Sequence, residues 1–272
     1  MKKGKKGSIF FIIVIFLTLG LLFWYLPKEN EKECKERVFD DLREKSNNAL
    51  KAIVGIVPEE EKDGLKSRNG LGSGVIFDKK DKTYYFVTAA HVIDNIDKVY
   101  KIFTRDTVFS GEVVNTDSDV TFEIPDEKYY ESLIPSKIEY ISEAADLAIL
   151  SFQYDGDLPV MEFSKIKPAI NDRIVVIGHP EGERYQVTYG YIKSEIKDAK
   201  IKDSNDDIIN AKVIEHNAYM KPGNSGGVAL NDAMQIVGIN IGGVFNILGY
   251  YDVGYMIPLS IVQENINTWK SK

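Results

Sequence analysis

From about Ala49 onward, short runs rich in Val, Ile, Tyr and Phe recur along the chain, separated by Gly, Asn and Asp, and this rhythm is what most limits the fold. β-Branched and aromatic side chains suit a pleated surface, while Gly, Asn and Asp supply the backbone angles of tight turns. The pattern predicts strands over residues 52–57, 74–77, 84–88, 147–152, 173–177, 212–214, 227–230 and 235–241. Asn231-Asp232 reads as a hairpin connection and residues 78–82 as a polar loop of the same kind. Many short strands in one unit imply an all-β sandwich or paired barrels. After Pro258, Ile261, Val262, Ile266 and Trp269 fall at helical spacing, which predicts a closing helix over residues 260–269.

The N-terminal part follows a different rule. Four lysines lie within residues 1–7, and the stretch from Gly7 to Pro27 carries no charge. About 18 apolar residues at 1.5 Å each approach the roughly 30 Å hydrocarbon core of a bilayer. Residues 8–26 are therefore expected to form a transmembrane anchor, with the basic N-terminus cytoplasmic and the remainder extracytoplasmic at the cell membrane. A cleavable signal peptide is the competing reading, but the apolar stretch ends in Phe23-Trp24-Tyr25-Leu26 rather than in small residues. Residues 27–48 are dense in Glu, Lys and Arg and read as a charged stalk, either a solvated helix or a flexible linker. Cys34 is the chain's one cysteine, so no internal disulfide can form. A net charge of −7 argues against nucleic acid as a partner, because phosphate binding needs clustered Lys and Arg.

The sharpest chemical feature is Pro222-Gly223-Asn224-Ser225-Gly226-Gly227, a loop of small residues directly before an apolar strand. Glycines around a serine permit the backbone angles that aim N–H groups at a developing oxyanion. A glycine-rich turn serving geometry alone would look similar. The segment also fits G-x-S-x-G, but that elbow needs a histidine downstream of its serine. His91, His179 and His216 all precede Ser225, so a base must come from upstream. His91 ends a strand after Thr88-Ala89-Ala90, where small neighbours leave its ring accessible. Asp146 stands at the head of Leu147-Ala148-Ile149-Leu150, an acid in apolar surroundings suited to orienting an imidazole. Asp117, Asp119 and Asp126 lie in polar stretches where solvation alone accounts for them. His179 and His216 lack the spaced companions of a zinc site and read as turn or surface residues; no metal and no cofactor is expected.

Taken together, Thr88-Ala89-Ala90-His91, Asp146-Leu147-Ala148-Ile149-Leu150 and Gly223-Asn224-Ser225-Gly226-Gly227 resemble, in order, the three catalytic motifs of trypsin-like serine proteases. Gly72-Ser73-Gly74 and Gly178-His179-Pro180 make the likeness strongest to the HtrA (DegP-like) branch, over roughly residues 49–259. The resemblance implies that residues 49–272 form a trypsin-like protease domain of two six-stranded β-barrels with a C-terminal helix. It implies His91, Asp146 and Ser225 as the triad and the N–H groups of Gly223 and Ser225 as the oxyanion hole. Substrate would meet Tyr219, Asn240, Ile241 and Gly242, with Tyr219 near the base of a primary pocket framed by the segment before Ser225 and by residues 238–243. No acid lies there, so cleavage after Lys or Arg is not expected.

Three departures qualify the likeness. Asn224 stands where trypsin has an aspartate that pairs with a newly cleaved N-terminus, so activation by N-terminal insertion is not expected. The chain after Ser225 suffices for the end of a barrel and a helix, and no PDZ domain is expected there. Residues 117–140 read as an inserted surface loop. The expected partners are polypeptide substrates and the membrane, with oligomeric state undetermined. The competing functions are a silent protease-like protein that binds peptide at the membrane and an esterase using the same serine.

Overall fold

The computed structural model describes residues 39–68, 70–115, 121–180, 184–202, 208–245 and 251–272. The expected span at 8–26, most of the 27–48 stalk, Cys34, Asp117 and Asp119 lie outside the described residues. Among the described residues no helix is long and apolar enough to cross a membrane. The end of the stalk is helical, α1 (Asp40–Ala49), and opens on Asp40 and Asp41, where carboxylates complement the positive end of a helix dipole. Lys45–Lys272 forms one compact unit, and the site described below lies wholly within it.

The first half of that unit contributes β1 (Ile53–Lys62), β2 (Leu65–Ser67), β3 (Gly72–Lys80), β4 (Thr83–Ala89), β5 (Val99–Phe103), β6 (Gly111–Asn115), β7 (Thr121–Pro125), β8 (Ile134–Pro135), β9 (Lys137–Ser142) and β10 (Leu147–Gln153). The second contributes β11 (Arg173–Gly178), β12 (Gln186–Tyr191), β13 (Lys197–Lys202), β14 (Ile208–His216), β15 (Val228–Leu230), β16 (Ile236–Phe245) and β17 (Tyr251–Pro258). They build two antiparallel sheets, ordered β8-β5-β1-β3-β4-β10-β9 with β2 against β1, and β12-β11-β15-β16-β17-β14-β13; β6 and β7 form a separate hairpin. The expected six strands per barrel thus undercount the described sheets, whose additional members include the three residues of β2 and the two of β8. Bulges at Ile76/Asp78 in β3–β4 and at Ile149/Leu150 in β9–β10 bend the first sheet, since an extra residue on one strand raises the local twist.

Each sheet encloses its own apolar cluster. Val54, Ile76, Tyr84, Phe86, Ile102 and Leu150 pack in the first, and Ile174, Val176, Ile214, Val237 and Met256 in the second. The apolar run of β10 is continuous rather than alternating because Leu147, Ala148, Ile149 and Leu150 are all fully buried. The segment after β10 crosses between the sheets: Met161 donates its N–H to Ile76 O in β3, and Ile236 of β16 donates to Glu162 O. The predicted closing helix is present as α3 (Leu259–Lys270). It returns to the first sheet, where the Trp269 ring lies 5.1 Å from Tyr85 and 6.0 Å from Phe77.

The expectation of a loop over residues 117–140 is corrected by the structure. Its described part holds β7, β8 and a short helix, α2 (Glu127–Ser132), and leads into β9. Asp126 is the N-cap of α2, accepting from Tyr129 N–H at 2.8 Å, so this acid has a structural partner beyond solvent. Arg68 ties the helix to the first sheet, gripping Glu127 with two nitrogens at 2.7 and 2.8 Å and Glu59 of β1 at 2.7 Å. Polar composition suggested a loop because the partners that organise the segment, Arg68 and through it Glu59, lie far back along the chain.

Candidate active site

Antiparallel pairing of β4 with β10 brings His91 and Asp146 together. Leu147 sits opposite Ala89, so the residue before Leu147 meets the chain just after β4, and Ala90 N–H donates to Asp146 O at 2.9 Å. His91 follows within a single 3-10 turn, Ala90–Val92. Its Nδ1 lies 2.8 Å from Asp146 Oδ2 and 3.0 Å from Oδ1, and its backbone N–H donates to Oδ1 at 2.9 Å. Asp146 is 2% exposed, and its carboxylate is thus met by two donors in a setting where water competes little. The acid holds a left-handed backbone, φ 49° and ψ 46°, as the cap of the 3-10 turn Glu143–Ala145, a conformation that Asp and Asn tolerate better than most residues.

The serine loop reaches the same place from the second sheet. Gly226 N–H donates to Asn240 O at 2.7 Å, and Asn240 N–H donates to Gly227 O at 2.8 Å, fastening the loop to β16. Gly223 and Gly226 have φ of +99° and +79°, angles suited to glycine. A Cβ on Gly226 would collide with Thr88 Oγ1 and Ser73 O, which seats the loop against β3 and β4, the strand that leads into His91. The hydroxyl of Ser225 donates to Ile241 O at 3.4 Å, and no hydrogen bond joins it to His91. The structure therefore pairs two of the three expected residues directly, while the hydroxyl of the third is turned to a carbonyl. Neither Gly223 N–H nor Ser225 N–H donates to a protein acceptor among the described residues.

The expected substrate contacts divide. Ile241 is the bulged residue where β16 shifts register between Asn240 and Gly242, and Tyr219 is 39% exposed. Its ring stands edge-on to Tyr251 at 5.1 Å. Asn240 is fully buried, and its backbone N–H and carbonyl are taken by Gly227 and Gly226. Asn224 is 1% exposed, and a Cβ on Gly178 would strike its Oδ1; the side chain lies under the loop, away from solvent.

His179 and His216 are neither turn nor surface side chains, since both are fully buried. The His179 ring packs between Phe103 at 4.7 Å and Tyr185 at 4.5 Å. Burial, followed by the nearby Arg184 charge, lowers its pKa to about 3, and burial lowers that of His216 to about 4. Their burial comes from packing of separate strands, which spacing in sequence does not report. Sequence reasoning used Ser73 only within the Gly72-Ser73-Gly74 motif and gave it no role, although its backbone N–H donates to Ser225 O at 2.9 Å.

A family model described as a trypsin-like peptidase domain matches residues 72–239. The chain belongs to this family. As a trypsin-like chain it is 28% identical over 234 residues to a probable periplasmic serine endoprotease DegP-like of Rickettsia conorii, an overlap covering 85% of this chain and 40% of that protein. It is 25% identical over 237 residues to a serine protease HtrA-like of Staphylococcus aureus, covering 84% of this chain and 28% of that one. This trypsin-like chain thus spans well under half the length of either relative.

Proposed function

We propose that this chain is a membrane-anchored serine endopeptidase that hydrolyses extracytoplasmic polypeptides through His91, Asp146 and Ser225, in a cleft between two β-barrels. The observation that carries the reading is the buried contact of His91 Nδ1 with both Asp146 oxygens, which holds the ring tautomer that leaves Nε2 free to accept a proton. Rotation of the Ser225 side chain away from Ile241 O would direct its hydroxyl to that nitrogen; such bonds are often formed only with substrate bound. Ser225 Oγ then attacks the peptide carbonyl as its proton passes to His91, and the oxyanion is met by the N–H groups of Gly223 and Ser225. His91 returns the proton to the leaving amine, and water, deprotonated by the same ring, releases the acyl group and restores Ser225. Similarity to a DegP-like and an HtrA-like protease supports the same chemistry. The anchor rests on the uncharged stretch at 8–26 behind its lysines. With no acid among residues 238–243, the primary pocket is expected to disfavour Lys and Arg.

One observation favours a second reading, a cleft that holds peptide without cutting it: the Ser225 hydroxyl donates to Ile241 O rather than to His91. The full chain in detergent, incubated with unfolded casein and with a serine-reactive fluorophosphonate beside Ser225→Ala, separates the two. Digestion and labelling that disappear together in the variant support the peptidase. A folded wild-type protein that binds casein yet neither labels nor digests would sink it and leave the binding reading.

A further inference from the structure

The motif Gly72-Ser73-Gly74 has no part in proton transfer, yet its serine touches the nucleophile loop at two points. Ser73 is fully buried in β3 of the first sheet. Its backbone N–H donates to Ser225 O at 2.9 Å, and its hydroxyl donates to Gly223 O at 2.7 Å. The hydroxyl oxygen also accepts from His179 N–H at 2.9 Å, at the end of β11 in the second sheet, and Ser73 O accepts from Thr88 Oγ1 at 2.7 Å. A hydroxyl has one proton to donate; the His179 N–H occupies an acceptor site, which leaves that proton for Gly223. The carbonyls of Gly223 and Ser225 are thus held by one residue, while the N–H groups of the same two residues have no acceptor among the described residues.

We infer that Ser73 is a positioning residue for the oxyanion hole: its hydroxyl fixes the Gly223 carbonyl and with it the Gly223–Asn224 peptide plane, which limits how a glycine at φ +99° can turn and so where its own N–H points. Donors that are fixed before charge develops need no reorganisation as it forms, which is why their placement acts on turnover more than on binding. Gly223 cannot supply this rigidity itself, because glycine is the residue least restricted in φ and ψ. The hold comes from the opposite sheet, so the loop's conformation depends on the two sheets being docked at Ser73. This inference rests on the triad reading for its kinetic consequence, although the hold itself is a matter of structure.

The test compares wild type, Ser73→Ala and Thr88→Val as full-length proteins. Thr88→Val removes a hydrogen bond to the same residue without touching Gly223. Deleting one direct oxyanion donor lowers turnover by about 10²- to 10³-fold, so loosening one through Ser73→Ala is expected to lower kcat for a peptide substrate about 10- to 100-fold, with KM within about threefold. Thr88→Val is expected to lower Tm with a far smaller effect on kcat. Amide hydrogen exchange is read in parallel at Asn224, Gly226 and Gly227, whose N–H groups are bonded to Lys221 O, Asn240 O and Asn224 O; exchange there should quicken in Ser73→Ala and stay near wild type in Thr88→Val. Turnover and loop exchange both unchanged in Ser73→Ala would overturn the inference, as would equal effects from the two variants. Should wild type neither label nor cleave, the triad reading fails by itself, and the exchange comparison still decides whether Ser73 holds the loop.

Discussion

Replacing Asp146 by Asn isolates what the carboxylate does for His91, because the structure allows the exchange with little else disturbed. The residue is 2% exposed and its backbone holds φ 49° and ψ 46°, and Asn adopts that region as readily as Asp does. Its amide oxygen can go on accepting from His91 N–H, now 2.9 Å from Oδ1. The other position changes character: an NH₂ group facing Nδ1 is a donor, and the ring nitrogen must turn acceptor to meet it. The ring proton then sits on Nε2, where it blocks proton abstraction. In triads of this kind that tautomer reversal costs about 10⁴ in turnover, equivalent to roughly 5.4 kcal/mol of barrier. Asp146→Ala should be slow as well, but it also leaves two donors of His91 without their acceptor and puts a Cβ residue with no stabilising side chain at positive φ, for a stability loss of about 2 kcal/mol or more. Steady-state hydrolysis of a peptide substrate together with thermal melts distinguishes the two variants. An Asn variant that melts near wild type and retains more than a tenth of its kcat would refute the assignment of Asp146 as the residue that sets the His91 tautomer.

Two further outcomes follow from burial and backbone geometry. Gly226→Ala forces a Cβ onto Thr88 Oγ1 and Ser73 O at φ +79°, so fluorophosphonate labelling of Ser225 should fall at least tenfold; normal labelling would mean that the loop is not confined there. With folded pKa values of about 3 for His179 and about 4 for His216, both rings are neutral in the folded and the unfolded chain above pH 6.5, while between pH 6.5 and about 4 the unfolded chain binds protons that the folded one refuses. Stability present above that window is therefore lost as pH falls through it, by up to ~1.4 kcal/mol per pH unit for each ring. Urea unfolding at several pH values should show a shallower acid loss for His179→Phe than for wild type, and parallel curves would contradict the buried neutral state.

The strands at 84–88, 147–152 and 173–177 were legible because β-branched and aromatic runs carry their own preference for a pleated surface, and the structure extends each by only a residue or two, to Thr83–Ala89, Leu147–Gln153 and Arg173–Gly178. Closing helix α3 was legible for the same kind of local reason, its apolar side chains repeating at helical spacing. Residue type offered His91, Asp146 and Ser225 only as separate candidates, and the resemblance of their three motifs to those of trypsin-like proteases joined them. What only the tertiary structure decided are the relations between residues far apart along the chain: the β4–β10 register that sets Asp146 on His91, the reach of Ser73 to Gly223 across sheets, the burial of His179 and His216, and the ordering of α2 by Arg68. Local periodicity reports which face of an element is apolar. It carries no information on which distant donor will meet a given carbonyl, because that choice is made when the sheets dock and their polar groups must find partners away from water.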